Sequence, residues 1–539
     1  MSVGTSPTVK TGGPGLVLAT LATGQFLMAL DTSVMNVSIA TVAVDVGTTV
    51  TGIQTAITLY TLVMASLMIT GGRIGQMIGR KRAFTIGAVI YGAGSLTTAI
   101  APNLTVLILG WSFLEGIGAA LILPAIVGLV AGNFVAEERT RAYGLIAAAM
   151  AAAVAVGPVL GGFMTTYASW RWVFAGEVVL VVAILVLSRF VRDQVTTETP
   201  GTFDGAGAFL SATGLAAIVL GILRSSAWGL VRPVEGGPSL FGLSPAILLV
   251  VGGLAVLGGF LVWEEHRIRT GRGALVDPKL LRSPMLRSGL LAFFFQFLVQ
   301  AGLFFCVPLF LSVALGLPAV ETGLRVLPLS VALVIAALGI PRLFPAASPR
   351  RVARLGFAAI AAGTVALMVS LEAGAGAEVV TVPLLLAGLG VGALASQLGA
   401  VTVSAVPDEE SAAVGGLQNT VTNLGASIGT AVAGTILIAT LTTALFTDLQ
   451  ADPAVPKDFV TAVETRLDRG VPFASDAQVR SALAAEGVPE ATIEATVESN
   501  AEARLVGLRS ALAVLAVLAL LAIAGTGGLP TAPLTAGRP

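Results

Sequence analysis

An all-α membrane protein of fourteen spans is the fold class that three observations predict, and a weak internal repeat divides it into two six-helix bundles and two additional linking helices. First, 55% of the 539 residues are hydrophobic and only 11% are charged, at a mean hydropathy of +0.92. No water-soluble domain with one ordinary core has that composition. Second, apolar runs of about 20 residues, the length that crosses roughly 30 Å of hydrocarbon, recur fourteen times. They begin near Gly15, Gly52, Ala83, Asn103, Arg141, Trp172, Gly205, Leu243, Ser288, Thr322, Val352, Val379, Ser411 and Arg504. Third, an inside N-terminus with alternating sides puts 20 of the 30 lysines and arginines in cytoplasmic segments. Six of the other ten lie in or beside the long 446–509 segment, and long translocated loops escape the positive-inside bias. Both termini are therefore expected on the cytoplasmic side of the cell membrane.

Several classes are excluded or unexpected. The first fourteen residues are polar and the first apolar run carries Asp31, unlike a cleaved secretory signal, so this helix is expected to be retained. The single cysteine, Cys306, rules out an intrachain disulfide. The single histidine, His266, falls in a charged segment, so no metal site or histidine relay is expected. A formal net charge of zero gives no indication of nucleic-acid binding. No phosphate-cradling GxxxxGK[ST] loop occurs, no cofactor is expected, and no nucleophile stands beside a base to suggest an enzyme.

Taken in order, the spans differ in what they carry. Span one holds Leu30-Asp31-Thr32-Ser33-Val34-Met35-Asn36-Val37, and span two leads into the basic turn Gly72-Arg73-Ile74-Gly75-Gln76-Met77-Ile78-Gly79-Arg80-Lys81-Arg82. Span four contains Glu115 followed by Gly116-Ile117-Gly118-Ala119-Ala120. Span five contains Gly157-Pro158-Val159-Leu160-Gly161-Gly162, where proline removes a backbone donor and the glycines let a neighbouring helix come close, as in a packed, kinked hinge. Ser169-Trp170-Arg171-Trp172-Val173-Phe174 turns into span six, which carries Glu177. A second basic turn, Gly339 through Arg354, follows span ten and suggests a weak internal repeat. The expected organisation is an N-terminal bundle over 1–195, a linking pair of spans and a cytoplasmic loop over 196–287, and a C-terminal bundle over 288–539. The acidic, proline-punctuated stretch 446–503 is too polar for lipid and reads as an external cap.

At these residues the chain resembles the fourteen-span drug:proton antiporters of the major facilitator superfamily, over nearly its whole length. The stretch around Asp31 resembles that group's first-span signature, Gly72–Arg82 the superfamily's loop after span two, Gly157–Gly162 the antiporter signature, and Ser169–Phe174 the turn into span six. The resemblance implies a conformational gate at Gly72, Gln76, Gly79 and Arg80, and a hinge at Gly157, Pro158, Gly161 and Gly162. Three departures stand out. Gln76 replaces an aspartate, Ser112 and Glu115 stand where an arginine and a glutamine are usual, and Glu177 replaces an asparagine. A usual intramembrane cation is missing and two acids have appeared, so the family's proton relay does not carry over unchanged.

A charge at bilayer depth costs roughly 2.5–3.5 kcal/mol even on insertion scales, and such residues face a cavity or a partner. Asp31, Glu115 and Glu177 are accordingly the candidate proton-coupling and substrate residues. Glu115 lies near mid-span with no lysine or arginine in its own helix to pair with; the bland alternative is a protonated acid hydrogen-bonded in helix packing. Met28, Met35 and Asn36 flank Asp31, whose alternative is a structural hydrogen bond to Asn36 or a neighbouring helix. For Glu177 the alternative is an ion pair with Arg171. Phe293, Gln296, Phe297, Gln300 and Phe304 form an aromatic stripe with two amides, suited to a broad apolar pocket or to packing. Gln418, Asn419 and Asn423 are further cavity candidates, while Gly425 and Gly429 fit close helix crossing.

Together with the resemblance, these residues imply proton-driven efflux of hydrophobic or cationic drugs by alternating access. The expected partners are the small substrate, protons and the lipid bilayer, with no nucleic acid, and a monomer is expected to suffice. Export of one self-made antibiotic or siderophore is an alternative, and a non-transporting sensor or scaffold on the same fold is another.

Overall fold

The computed structural model describes residues 13–134, 136–192, 203–233, 237–406, 411–453, 455–466 and 473–533. Among them the regular structure is helical, apart from an isolated bridge between Leu240 and Leu243. The first group of helices comprises α1 (Pro14–Asp45), α2 (Val50–Ile78), α3 (Arg80–Ala99), α4 (Leu104–Leu107), α5 (Gly116–Asn133), α6 (Ala136–Tyr167) and α7 (Arg171–Ser188). A π-helical segment, Ile108–Glu115, joins α4 to α5 without a break. Then come α8 (Gly205–Trp228) and α9 (Pro245–Arg269). The last group comprises α10 (Pro284–Leu309), α11 (Ala319–Leu343), α12 (Pro349–Ser370), α13 (Thr381–Ser404), α14 (Ser411–Ala451), α15 (Lys457–Arg466), α16 (Asp476–Ala485) and α17 (Glu490–Gly525).

Helices occupy all fourteen sequence-derived starts. Twelve are long and apolar enough to cross a membrane, and the other two starts fall on α3 and α6. Their ends follow local chemistry. Thr49, Ser283 and Ser348 accept hydrogen bonds from free amides of the first turns of α2, α10 and α12, and prolines open α1, α9, α10 and α12 where no donor is needed. Gly79, at φ 99°, turns the chain between α2 and α3 in a conformation that L side chains avoid. The 446–503 stretch is more helical than its composition suggests. α14 continues to Ala451 and α17 begins at Glu490, well before the expected start near Arg504.

Within the first group, α1 packs on α6, α2 and α3 on α5, and α3 on α7; in the last, α10 packs on α14, α11 and α12 on α13, and α12 and α14 on α17. The two groups meet where α6 crosses α11 and α2 crosses α14, and α8 lies along α2 and α14 while pairing with α9. Among the described residues, hydrogen bonds stitch this seam. Gln54 Nε2 donates to Thr430 O (3.1 Å), Ser427 to Thr58 O (3.2 Å), the Val320 amide to Thr166 Oγ1 (3.0 Å) and Ser330 to Val154 O (2.9 Å). Backbones touch here because side chains are absent. A Cβ on Gly162 would lie 2.3 Å from Ala319 O, and one on Gly323 2.0 Å from Pro158 O.

Candidate functional site

Three helical elements of the first group each deliver one acid to a single point. Asp31 comes from α1, Glu115 from the last residue of the π-helical segment and Glu177 from α7; their exposures are 1%, 0% and 1%. One carboxylate oxygen from each lies within 4.8 Å of those of the other two. Among the described residues none of the three forms an ion pair. Neutral donors surround them instead. Trp111 Nε1 donates to Asp31 Oδ1 and Oδ2 at 2.9 and 3.0 Å, and Thr98 to Glu115 Oε1 at 3.3 Å. Ser95 and Tyr91 donate to Glu177 Oε2 at 3.1 and 3.3 Å. Among the described residues Glu115 Oε2 and Glu177 Oε1 find no hydrogen-bond partner. Two carboxylate oxygens are thus free to carry protons, and the three-acid set of oxygen ligands is also the kind a hard cation accepts.

Local sequence makes this convergence possible. Gly94 and Gly110 let α3 cross the π-helical segment so closely that a Cβ on Gly94 would sit 2.6 Å from Glu115 Cγ, and one on Gly110 2.6 Å from Thr98 Oγ1. The π-helical segment adds a residue to the turn and so rotates the residues after it about the helix axis, a feature common at functional sites. Trp111 stacks on Tyr60 with ring centroids 5.2 Å apart, which fixes the indole that holds Asp31. Ser112 spends its hydroxyl on Ala56 O (2.8 Å).

The remaining candidates lie on α1, α7, α10 and α14. Glu177 makes no pair with Arg171, which turns to Asp45 and to Ala101 O (2.7 Å), so that reading of Glu177 is overturned. Asp31 meets a neighbouring helix through Trp111, whereas the side chain of Asn36 lies outside the described residues. Met28 and Met35 are buried in the main apolar core. On α10, Phe293, Gln296 and Phe304 are buried, Phe297 and Gln300 are half-buried, and Phe293 and Phe297 have ring centroids 6.5 Å apart. The side-chain oxygens of Gln296 and Gln300 have no hydrogen-bond partner. On α14, Gln418 accepts from Thr402 (3.2 Å), and Asn423 donates to Asn419 O (2.9 Å). Gly425 and Gly429 do serve a close crossing, since a Cβ on either would meet Phe294 O at 2.4 Å or Leu298 O at 2.1 Å.

At the end of α2, Arg73 donates to Gln76 (2.8 Å), and Arg80, the first residue of α3, lies across Gly128, donating to its carbonyl (2.7 Å). Gly72, Gln76 and Arg80 line a small space of about 50 Å3 together with Leu275 and Val276 of the linking loop and Gly416 and Leu417 of α14. The turn therefore meets both the linking segment and the last helical group. Along α6, Gly157 and Gly161 face α1, where a Cβ would meet Ser33 Oγ at 2.4 Å or Val34 Cγ1 at 2.8 Å, and Pro158 and Gly162 face α11. Sequence reading missed Tyr60, Tyr91, Ser95, Thr98 and Trp111. Tyr91, Ser95 and Thr98 stand at i, i+4 and i+7, one helical face, and that spacing was the signal that could have found them.

The profile of the Major Facilitator Superfamily matches residues 21–430. The chain is 30% identical over 453 residues to the puromycin resistance protein pur8 of Streptomyces alboniger, covering 82% of this chain and 85% of that one. It is 28% identical over 438 residues to the multidrug efflux pump LfrA of Mycolicibacterium smegmatis (81% and 83% covered) and 27% identical over 452 residues to the tetracenomycin C resistance and export protein of Streptomyces glaucescens (83% and 80%). Among solved structures, an inward-facing, unoccupied bacterial homologue of the human lysosomal transporter Spinster superposes with a TM-score of 0.60 at 14% identity, 98% of both chains covered. A D-xylose–proton symporter superposes with a TM-score of 0.54 at 14% identity, with 78% of this chain and 90% of that one covered.

Proposed function

Because the chain belongs to the Major Facilitator Superfamily, whose profile spans residues 21–430, we propose that it exports hydrophobic or cationic drug-like molecules across the cell membrane in exchange for protons. The observation that carries the coupling is the trio Asp31, Glu115 and Glu177, with ligand oxygens within 4.8 Å of one another. At an effective dielectric of about 20, each pair of like charges at that distance repels by about 3–4 kcal/mol. No ion pair offsets this among the described residues. Such a group stays in apolar surroundings only by holding protons, and two of its oxygens have no other partner. It is a proton store that a change of surroundings can empty.

In the proposed cycle the trio gives up protons toward the cytoplasm while cargo binds, and the halves 1–195 and 288–539 rock about the α6–α11 crossing. Protons taken up from outside then favour cargo release. Binding of cargo and of protons shift the same conformational equilibrium in opposite directions. Similarity to named resistance and export proteins supports an antibiotic-sized cargo. Inside-out proteoliposomes provide the test, with ethidium in the bath and an acid lumen. The parent is expected to accumulate ethidium, and Glu115→Gln to lose at least about tenfold of the initial rate while purifying as a folded monodisperse protein. Accumulation that ignores the pH gradient, or follows an imposed sodium gradient instead, removes protons from the mechanism.

A further inference from the structure

Beneath the cap lies a second site, made of different residues. α15 and α16, the ends of α1, α2, α14 and α17 beside them, and the π-helical segment Phe310–Ala314 line a half-open cavity of about 540 Å3. That is the size of pockets that hold drug-sized molecules. Its walls include Val44, Val313, Leu449, Phe459 and Phe473, and its polar groups are neutral, among them Gln478, Thr496 and Asn500. None of the described lining residues is charged. An ion entering it would lose hydration without a counter-charge, whereas an apolar molecule with a few hydrogen-bonding groups would be met on both counts.

The cap over this space is anchored by specific bonds. Arg504 of α17, 2% exposed, pairs with Asp476 and donates to Ala474 O (2.9 Å), and Asn500 donates to the same carbonyl (3.3 Å). Ser475 and Gln478 close a reciprocal capping box that starts α16 firmly. Arg480 of α16 pairs with Glu490 at the start of α17. The walls also come from both halves, α1 and α2 on one side and α14 and α17 on the other, so any parting of the halves at this end alters the chamber.

We propose that this chamber is a binding site for uncharged, largely apolar, drug-sized molecules, occupied by cargo that has left the transport pathway. The proposal rests on the export reading but uses none of the three acids. Benzophenone, neutral, apolar and photoreactive, is a direct probe for purified full-length protein in nanodiscs. Irradiation is expected to enrich adducts in peptides carrying Leu445–Leu449, Phe459 and Phe473–Leu483. Ala482→Trp and, separately, Val479→Trp, both on the α16 wall of the cavity, are expected to cut those adducts by about tenfold by filling the space. Photolabelling needs neither a pH gradient nor transport, so a failure of proton coupling reads separately from a failure of the chamber. Adducts spread over outward-facing positions such as Val251 and Val262 without enrichment at the cap, or adducts indifferent to both tryptophans, overturn the proposal. So does a phospholipid that copurifies in the chamber and is not displaced by benzophenone.

Discussion

At the scale of single residues, an acid's meaning depends on what it faces. Asp31 is held by an indole through both oxygens, Glu115 by one threonine, and Glu177 by a serine and a tyrosine on the same oxygen. Glu177→Gln can keep both of those contacts through its amide oxygen while removing one titratable site. Protons released on cargo binding, followed with a pH indicator in weakly buffered detergent solution, are expected to fall in this variant while ethidium still binds. Unchanged release would place Glu177 outside the exchanging group. The sequence identified all three acids from the rule that buried charge needs a purpose. It did not show that they meet, because helical periodicity tells which face a residue occupies and not which helix that face touches. Arg171 illustrates the limit: it lies six positions from Glu177 but binds Asp45 at the end of α1.

At the scale of elements, close crossings decide where those side chains arrive. Gly94→Ala would drive a methyl to within 2.6 Å of Glu115 Cγ and 2.7 Å of Gly110 O. Backbone carbonyls cannot yield easily, so the substitution is expected to cost about 1–3 kcal/mol, visible as a lowered thermal unfolding midpoint. It should also slow ethidium transport by displacing Glu115; a variant with parental midpoint and rate would mean that α3 and the π-helical segment are free to separate. The α8–α9 pair depends on a different device. Asp204 caps α8 through the Gly207 amide (2.8 Å), accepts from Trp263 and pairs with Arg267 at 3.2 Å, with side chains only 1% and 8% exposed. Asp204→Ala leaves that guanidinium without its carboxylate and is expected to cost about 3–5 kcal/mol, again read by thermal unfolding. Hydropathy located the helices because apolar length is a composition property. The π-helical insert was not legible, since its extra residue reflects packing against α3 and leaves no mark on composition.

For the molecule as a whole, the seam between the helical groups is where transport by rocking has to show itself. Small residues in the Gly157–Gly162 stretch were legible as a hinge, but their partner α11 was not, because the matching Gly323 lies in another half of the chain with no distinguishing pattern of its own. The contact is direct: Thr166 Oγ1 accepts from the Val320 amide at 3.0 Å. Rocking about the close Pro158–Gly323 contact requires this end of the edge, Thr166 beside Val320, to open in each cycle. The sole native cysteine, Cys306, is buried and free, so a Cys306→Ser background permits a clean pair, Thr166→Cys with Val320→Cys. With the backbones this close, a disulfide is expected to form on mild oxidation, confirmed by mass spectrometry of the linked peptides. Ethidium accumulation should then stop and return after reduction, while each single-cysteine variant ignores both treatments. A fully linked protein that still transports at the parental rate would show that the α6–α11 edge never has to part, and the moving element would then have to be sought at the α2–α14 crossing, where Gln54 and Ser427 hold the other side of the seam.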